Sequence, residues 1–209
     1  MKKYEFTGET KRIALEDRIV TLHRIRAIKD FGIIKVGDIG GWIEKEENLS
    51  HKNNAWVGGN ARVGGNAWVG DSAYVRGNAY VSGNVYVRGN ACVSDNAYVR
   101  GNAYVGGNAW VRGNACVGGK AWVGGNARVC SNAEILSVSH ILTIGAIGSR
   151  NDFTTFYRDK DNQISVSCGC FSGKIEEFLE AVTRTHRDSK HAQVYRAAVE
   201  VAKLQIELN

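Results

Sequence analysis

The 209 residues contain no proline, one methionine and five cysteines. Without proline, the corners of the chain fall to its 25 glycines and to asparagine, which supply turn conformations, positive φ included. Five cysteines are an odd number at spacings that make no disulfide framework, which argues against a stapled secreted scaffold and for thiols kept reduced. No apolar run is long enough to cross a bilayer, and the opening MKKYEFTGETKR lacks the apolar stretch of a signal peptide. A cytoplasmic location and no membrane partner are expected. Histidine is missing from residues 54–137, an absence that matters below.

Acidic residues are also scarce in places. The formal charge is +6, and dividing it along the chain gives 11 basic and 9 acidic groups in residues 1–53, 7 and 3 in 54–137, and 9 and 9 in 138–209. The excess sits mainly in the middle segment, where Arg76, Arg88, Arg100 and Arg112 recur every twelve residues. On a three-sided coil of six-residue sides, that spacing advances two sides each time, so these cations spiral. A phosphate-tracking surface needs them on one face, and no DNA or RNA stripe is expected.

What the chain has instead is one pattern, Asn-Ala-x-Val-x-Gly, in fourteen copies from NAWVGG at Asn54 to the unit at Asn132, without an insertion. Ala and Val stand two apart and so point to the same side of an extended segment. The Val position is Val thirteen times and Ile135 once, and the Ala position is Ala except at Val85. Each unit reads as one strand and one corner, and stacked coils bury a continuous Val and Ala column that a single coil cannot. Three units per turn give four to five triangular coils, with raw edges that the flanking segments must cap.

This pattern resembles the hexapeptide-repeat, left-handed parallel β-helix family. The resemblance implies the left hand, since the usual crossover rule favours the right. The stretch IRAIKDFG followed by GDIGGWIEKEENLSHKNNAWV, within residues 22–57, is similar to the N-terminal cap of uncharacterised bacterial and phage acyltransferase-like hexapeptide proteins. The expected fold is mainly β: an N-terminal β cap (1–53), the β-helix (54–137) and a small α+β domain of βββαα order (138–209). In the cap, Asp17, Asp30 and Asp38 read as turn residues, and Trp42 and Ile43 as a hydrophobic plug for the first coil.

Residues eighteen apart share a face of the coil. One face carries Trp68, Tyr86, Tyr104 and Trp122, a second Trp56, Tyr74, Cys92, Trp110 and Arg128, and a third Arg62, Tyr80, Tyr98, Cys116 and Glu134. A contiguous aromatic face marks a contact surface, so Trp68, Tyr86, Tyr104 and Trp122 are expected to form a homo-oligomer interface, with a trimer implied by the resemblance and a stacking platform for a ligand's aromatic ring as the alternative. The family's acyltransferases use a histidine base, a projecting loop and coenzyme A, but the coils here have neither loop nor histidine. His51 and His140 flank them, and a capping or surface role is expected for both. The family's zinc sites need three histidines on neighbouring coils, so no metal and no cofactor are expected.

In the last segment, residues 137–172 read as three strands with a turn at DKDN. Ile175, Phe178, Leu179 and Val182, then Tyr195, Ala198, Val199, Ala202 and Ile206, form two helical stripes. Gly148, Ser149 and Arg150 at a strand end, with Thr154, Thr155 and Tyr157, combine close approach, hydroxyl donors and a guanidinium that grips phosphate or carboxylate. Ser149, Arg150, Thr154, Thr155 and Tyr157 are therefore the candidate site for a small anionic ligand, a nucleotide included. Cys168 and Cys170 read as one side of a strand, with burial expected in preference to a zinc site shared with His186 and His191 or a reactive thiol at Cys170. The expected function is a non-enzymatic, oligomeric binding protein for such a ligand or for a protein partner, and the phage-type resemblance points to sequestration. A coenzyme A-dependent acyltransferase and a pure scaffold are the alternatives.

Overall fold

The computed structural model describes residues 1–15 and 18–208, so Asp17 lies outside the described residues. A long antiparallel hairpin of β1 (Tyr4–Leu15) and β2 (Arg18–Ala27) pairs onward with β3 (Ile39–Ile43). β3 then joins the first parallel ladder, with Trp42 opposite Arg62 and Ile43 opposite Val63. Successive residues of a strand face opposite sides, so the expected plug divides. Ile43 points inward into the coil core, whereas Trp42 points outward and packs beneath the hairpin with Leu15, Val20, Leu22 and Tyr80. Asp30 and Asp38 are turn residues, accepting the backbone N–H of Val36 at 2.9 Å and of Lys35 at 2.8 Å.

Fourteen two-residue strands follow, β4 (Trp56–Val57), β5 (Arg62–Val63), β6 (Trp68–Val69) and so on every sixth residue to β17 (Glu134–Ile135), in a parallel solenoid of about five turns. Partners lie eighteen residues apart, and the three ladders carry the three outward sets read from the sequence. The inward Ala and Val columns are 0–1% exposed throughout. Arg76, Arg88, Arg100 and Arg112 follow strands of different ladders and do spiral around the coil.

The corners divide their labour more sharply than the sequence suggested. Positive φ falls on the sixth residue of the unit, such as Gly83 at 79° and Gly101 at 71°, or on Asp71, Asp95 and Ser131 where Gly is replaced. Asp71 and Asp95 repay that conformation by accepting the N–H of Gly89 and Gly113, both at 3.0 Å. Asn at the first position is not the positive-φ residue. Its amide instead donates to its counterpart one turn on, as in Asn66–Asn84–Asn102 at 3.1 and 3.0 Å and Asn90–Asn108–Asn126 at 3.0 and 2.9 Å.

The C-terminal domain begins with a single helical turn at Val138–His140. It continues as an antiparallel meander of β18 (Ile141–Ile147), β19 (Asp152–Arg158), β20 (Ile164–Cys168) and β21 (Phe171–Lys174), covered by α1 (Ile175–His186) and α2 (Lys190–Gln205). The sheet has four strands where three were expected. Gly169 at φ 58° turns the chain so that Cys168 pairs with Phe171, dividing one apparent strand into a hairpin. Cys170 therefore sits exposed in the turn rather than beside Cys168 on a strand. Both helical stripes are as read, with Phe178, Val182, Tyr195, Ala198, Val199 and Ala202 buried against the sheet.

The corner geometry makes a graded expectation. A Cβ on Gly83 would lie 2.6 Å from the Gly101 carbonyl oxygen, whereas one on Gly125, also at positive φ, meets nothing within 4 Å. Gly125→Ala should lower the unfolding free energy by about 1–2 kcal/mol, the strain of positive φ alone, and Gly83→Ala by clearly more. Equal shifts in denaturation midpoint for the two would show that the stacked corners are not close-packed.

Candidate ligand-binding site

Two turns of the small domain meet at one edge of its sheet. Between β18 and β19, Gly148 (φ 71°) and Asn151 (φ 50°) bracket Ser149 and Arg150, and between β20 and β21 stand Gly169 and Cys170. Arg150 reaches across, its Nη1 3.7 Å from Cys170 Sγ. Gly148 is obligatory, because a Cβ there would fall 1.9 Å from the Tyr195 hydroxyl of α2. Its absence lets the tyrosine slide under the turn.

Below the turns is a cavity of ≈ 310 Å³ with apolar walls of Phe171, Phe178 and Val182 and a rim of Ser149, Arg150 and His186. No carboxylate lines it, and Arg150 has no ion-pair partner among the described residues. Burial first, then the neighbouring Cys168 sulfur, pushes the Tyr195 hydroxyl above its ordinary pKa, so it stays protonated as a donor. On the other side of Cys170 a wider cleft of ≈ 650 Å³ separates the turn from the solenoid. Trp110, 49% exposed, and Phe153 line it together with Arg112 and Arg128. Arg128 is partly engaged by Asp152 at 3.6 Å. The arrangement can hold a compact ligand with an apolar body and an anionic group at Arg150.

The five sequence candidates do not gather here. Ser149 and Arg150 are at the cavity, but alternate residues of β19 face away from it. Thr154 is buried and donates to Cys168 Sγ at 3.2 Å. Thr155 accepts the Arg128 backbone N–H at 3.0 Å, and Tyr157 packs into the solenoid core. These last two cap the final coil. Tyr157 also borders a separate polar cavity of ≈ 200 Å³ that holds Lys174, tied to Asp159 at 2.6 Å and Asp161 at 3.0 Å.

Cys130 went unnoticed in the sequence. It lies within 3.1 Å of Ser172 Oγ, 3.4 Å of Tyr157 Oη and 3.8 Å of Ser167 Oγ. Burial pushes this thiol up, but the hydroxyl contacts and the Arg112 charge outweigh it and hold it below its ordinary pKa. The available signal was its position, since a fifth repeat residue is otherwise Gly, Arg or Ser, with only Leu136 departing as well. Cys168, Cys170, His186 and His191 form no metal cluster among the described residues.

The outward aromatic set has the exposure of a contact face at two points, Tyr86 at 52% and Trp122 at 61%, with Trp68 and Tyr104 half-buried. The rings pair along the ladder, Trp68 with Tyr86 at 6.3 Å and Tyr104 with Trp122 at 5.0 Å. Beyond Trp122, a cavity of ≈ 330 Å³ continues over Val138 and Ile141.

Neither flanking histidine is placed as a catalytic base. His51 stacks on Tyr4 at 4.2 Å and accepts the Lys3 N–H at Nδ1, and its Nε2 is buried without a partner. His140 is buried and accepts the Leu136 N–H at 3.1 Å.

No protein-family model matches the chain. It is similar to a protein of Escherichia coli (strain K12) named "Uncharacterized acetyltransferase YdcK", at 33% identity over 61 residues, 27% of this chain and 19% of the relative. The chain thus spans about a fifth of that relative's length. The six-residue repeat, the solenoid and this likeness together fit a hexapeptide-repeat β-helix family. No helix among the described residues is long and apolar enough to cross a membrane.

Burial pulls both histidines below their ordinary value of 6.5. The unfolded chain then binds protons first as pH falls, so this contribution to stability is intact above about pH 6.5 and is lost as pH drops through the folded values. Melting temperature should decline on that side, and His140→Gln, which keeps an acceptor but does not titrate, should flatten the decline. A variant profile parallel to the wild type would remove His140 from the account.

Proposed function

We propose that the protein is a non-enzymatic, oligomeric binding protein in which the solenoid assembles subunits and the C-terminal domain holds a small anionic ligand. The observation that carries the reading is Arg150, a guanidinium at the mouth of an apolar cavity, with no carboxylate partner and no acid in the lining among the described residues. A cation so placed favours an anion more strongly than it would in open water, because the apolar walls lower the local dielectric. A nucleotide-like ligand agrees with the cavity's ring-sized apolar body and with the adjoining Trp110–Phe153 cleft. Sequestration, as the resemblance to phage hexapeptide proteins implies, would need only binding.

Acyl transfer is the second reading, and the name of the E. coli relative favours it. Against it stand a repeat free of histidine and two flanking histidines whose Nδ1 atoms are both occupied by backbone N–H groups. A general base needs a free lone pair within reach of substrate. A pure scaffold would have no use for an acid-free cavity at Arg150.

Calorimetric titration with adenosine monophosphate and with acetyl-coenzyme A separates these readings. Arg150→Ala should weaken nucleotide binding roughly tenfold or more, the scale of a lost charge-assisted contact. Nucleotide binding equal in wild type and variant would refute the site, and acetyl-coenzyme A binding lost on His140→Ala would favour the enzyme.

The assembly reading rests on the Trp68, Tyr86, Tyr104 and Trp122 face, with a trimer as the assembly the resemblance implies. Native mass spectrometry should find an oligomer for the wild type and a single chain for Trp68→Asp combined with Trp122→Asp, because a desolvated carboxylate opposes association. An unchanged mass in the double variant would rule this face out.

A further inference from the structure

Under the β1–β2 hairpin, three cations stand close together. Lys11 Nζ lies 4.0 Å and the Arg24 guanidinium carbon 4.9 Å from the Trp42 ring centroid, and Arg62, the ladder partner of Trp42, lies 5.0 Å from the Tyr80 ring. None of the three forms an ion pair among the described residues. Glu44, two residues beyond Trp42, is committed to Arg18 at 2.7 and 3.0 Å and to the Gly65 N–H at 2.7 Å. Arg24 Nε and Trp42 Nε1 are buried donors that meet no acceptor among the described residues.

Burial first, then the Arg62 and Arg24 charges, brings Lys11 down to about 8, against a smaller opposing pull from the Glu9 carboxylate. Cation–π contact offsets part of the crowding but supplies no negative charge. Fastening the hairpin does not require these charges, because Leu15, Val20 and Leu22 already pack on Trp42 and Tyr80. The cluster is therefore surplus to the clamp.

Next to it runs a groove of ≈ 360 Å³ between Ala14 of the hairpin and the solenoid face. Its floor is Tyr80 and Tyr98, stacked at 5.0 Å and 3° from parallel. Asn78 and Asn96, joined at 3.2 Å, form one edge, and Arg62 also lines the groove. Arg100 lies 5.5 Å from the Tyr98 ring.

We propose that this groove binds a small planar aromatic anion, its ring against the tyrosine floor and its phosphate or sulfate at the Arg62 side, towards Lys11 and Arg24. The stacked pair presents its ring edges to the groove, and these attract the face of a ligand ring; the asparagine edge offers both donor and acceptor, and the cations gain an anionic partner. The site is separate from the Arg150 cavity and does not depend on it.

The test follows Arg62 Nε–H, Trp42 Nε1–H and the Asn78 and Asn96 side-chain amides by NMR during titration. The probes are adenosine monophosphate, inorganic phosphate and adenosine at millimolar concentration. Adenosine monophosphate should shift all of these signals saturably, phosphate should act mainly on the nitrogens of Arg62 and Trp42 and more weakly, and adenosine should do little. Arg62→Gln and Lys11→Gln should each weaken adenosine monophosphate binding roughly tenfold or more, Tyr98→Leu should weaken it but not phosphate, and Arg150→Ala should change nothing here. Absence of saturable shifts with both anions overturns the proposal. So do Arg62→Gln and Lys11→Gln variants that melt lower yet bind as the wild type does, since the cluster would then be a clamp only. Loss of these shifts on Arg150→Ala would assign them to the other site and equally overturn it.

Discussion

Every residue of the repeat lies against its own counterpart eighteen positions away, and that stacking governs the molecule. The N–H of one rung meets the carbonyl of the next, as from Tyr80 to Ala97 and from Tyr98 to Ala115, at 2.9 and 2.8 Å. An inserted residue would shift every later side chain to the wrong side of the wall. The same stacking decides the corners, where the sixth residue is both at positive φ and within contact of the next corner's backbone, so Gly, Asp or Ser recurs there. It also makes the asparagine amides into ladders, which adds hydrogen bonds at no further ordering of the backbone.

Stacking satisfies the middle and leaves the ends open. At the first coil the buried Lys3 ammonium donates to the carbonyls of Lys52, Asn53 and Ala55, and the Asn48 amide to those of Gly65 and Ala67. Burial brings Lys3 down to about 8, the consequence of using a cation as a cap. At the last coil Thr155 takes the Arg128 N–H, the Lys160 N–H meets the Asn132 carbonyl, and Tyr157 closes the core. Buried backbone groups claim polar side chains before any ligand can. That is why Thr155 and Tyr157 cap the last coil and do not line the Arg150 cavity.

The solenoid was legible in the sequence because its register follows from a period with no interruption, and all three outward sets were readable for that reason. Short-range signals were also readable, such as the helical stripe of Phe178 and Val182. What escaped depended on contacts between segments distant in sequence. Nothing near Thr155 announces that its partner is Arg128, and nothing near Cys170 announces Arg150. Trp42 beside Ile43 reads as a plug until the ladder assigns them opposite sides. Gly169 was visible, but a lone glycine between two cysteines does not distinguish a strand with a bulge from a hairpin. A local pattern is also present: Gly stands two beyond Trp68, Tyr104 and Trp122, whose rings lie over it, and Arg stands two beyond Tyr74 and Tyr98 with its guanidinium over the ring, although Ser82 breaks the pattern after Tyr80.

Flat walls with a fixed period have no concavity of their own, so the repeat alone cannot enclose a ligand. Each cavity named above requires a residue from outside it: Ala14 of the hairpin at the tyrosine groove, Val138 and Ile141 beside Trp122, Phe153 and Cys170 opposite Trp110, and the small domain's own turns at Arg150. The three faces thereby acquire different surroundings from nearly identical sequence. The hairpin covers part of the Tyr80 face, the small domain's turn overhangs the Trp110 face, and Tyr86 and Trp122 leave the third presenting exposed rings. Binding chemistry therefore has to be sought where non-repeating chain overlies a face, and association where it does not. The physical reason is that a flat aromatic wall gains from a second flat surface, whereas a small charged ligand needs walls on more than one side to lose its water.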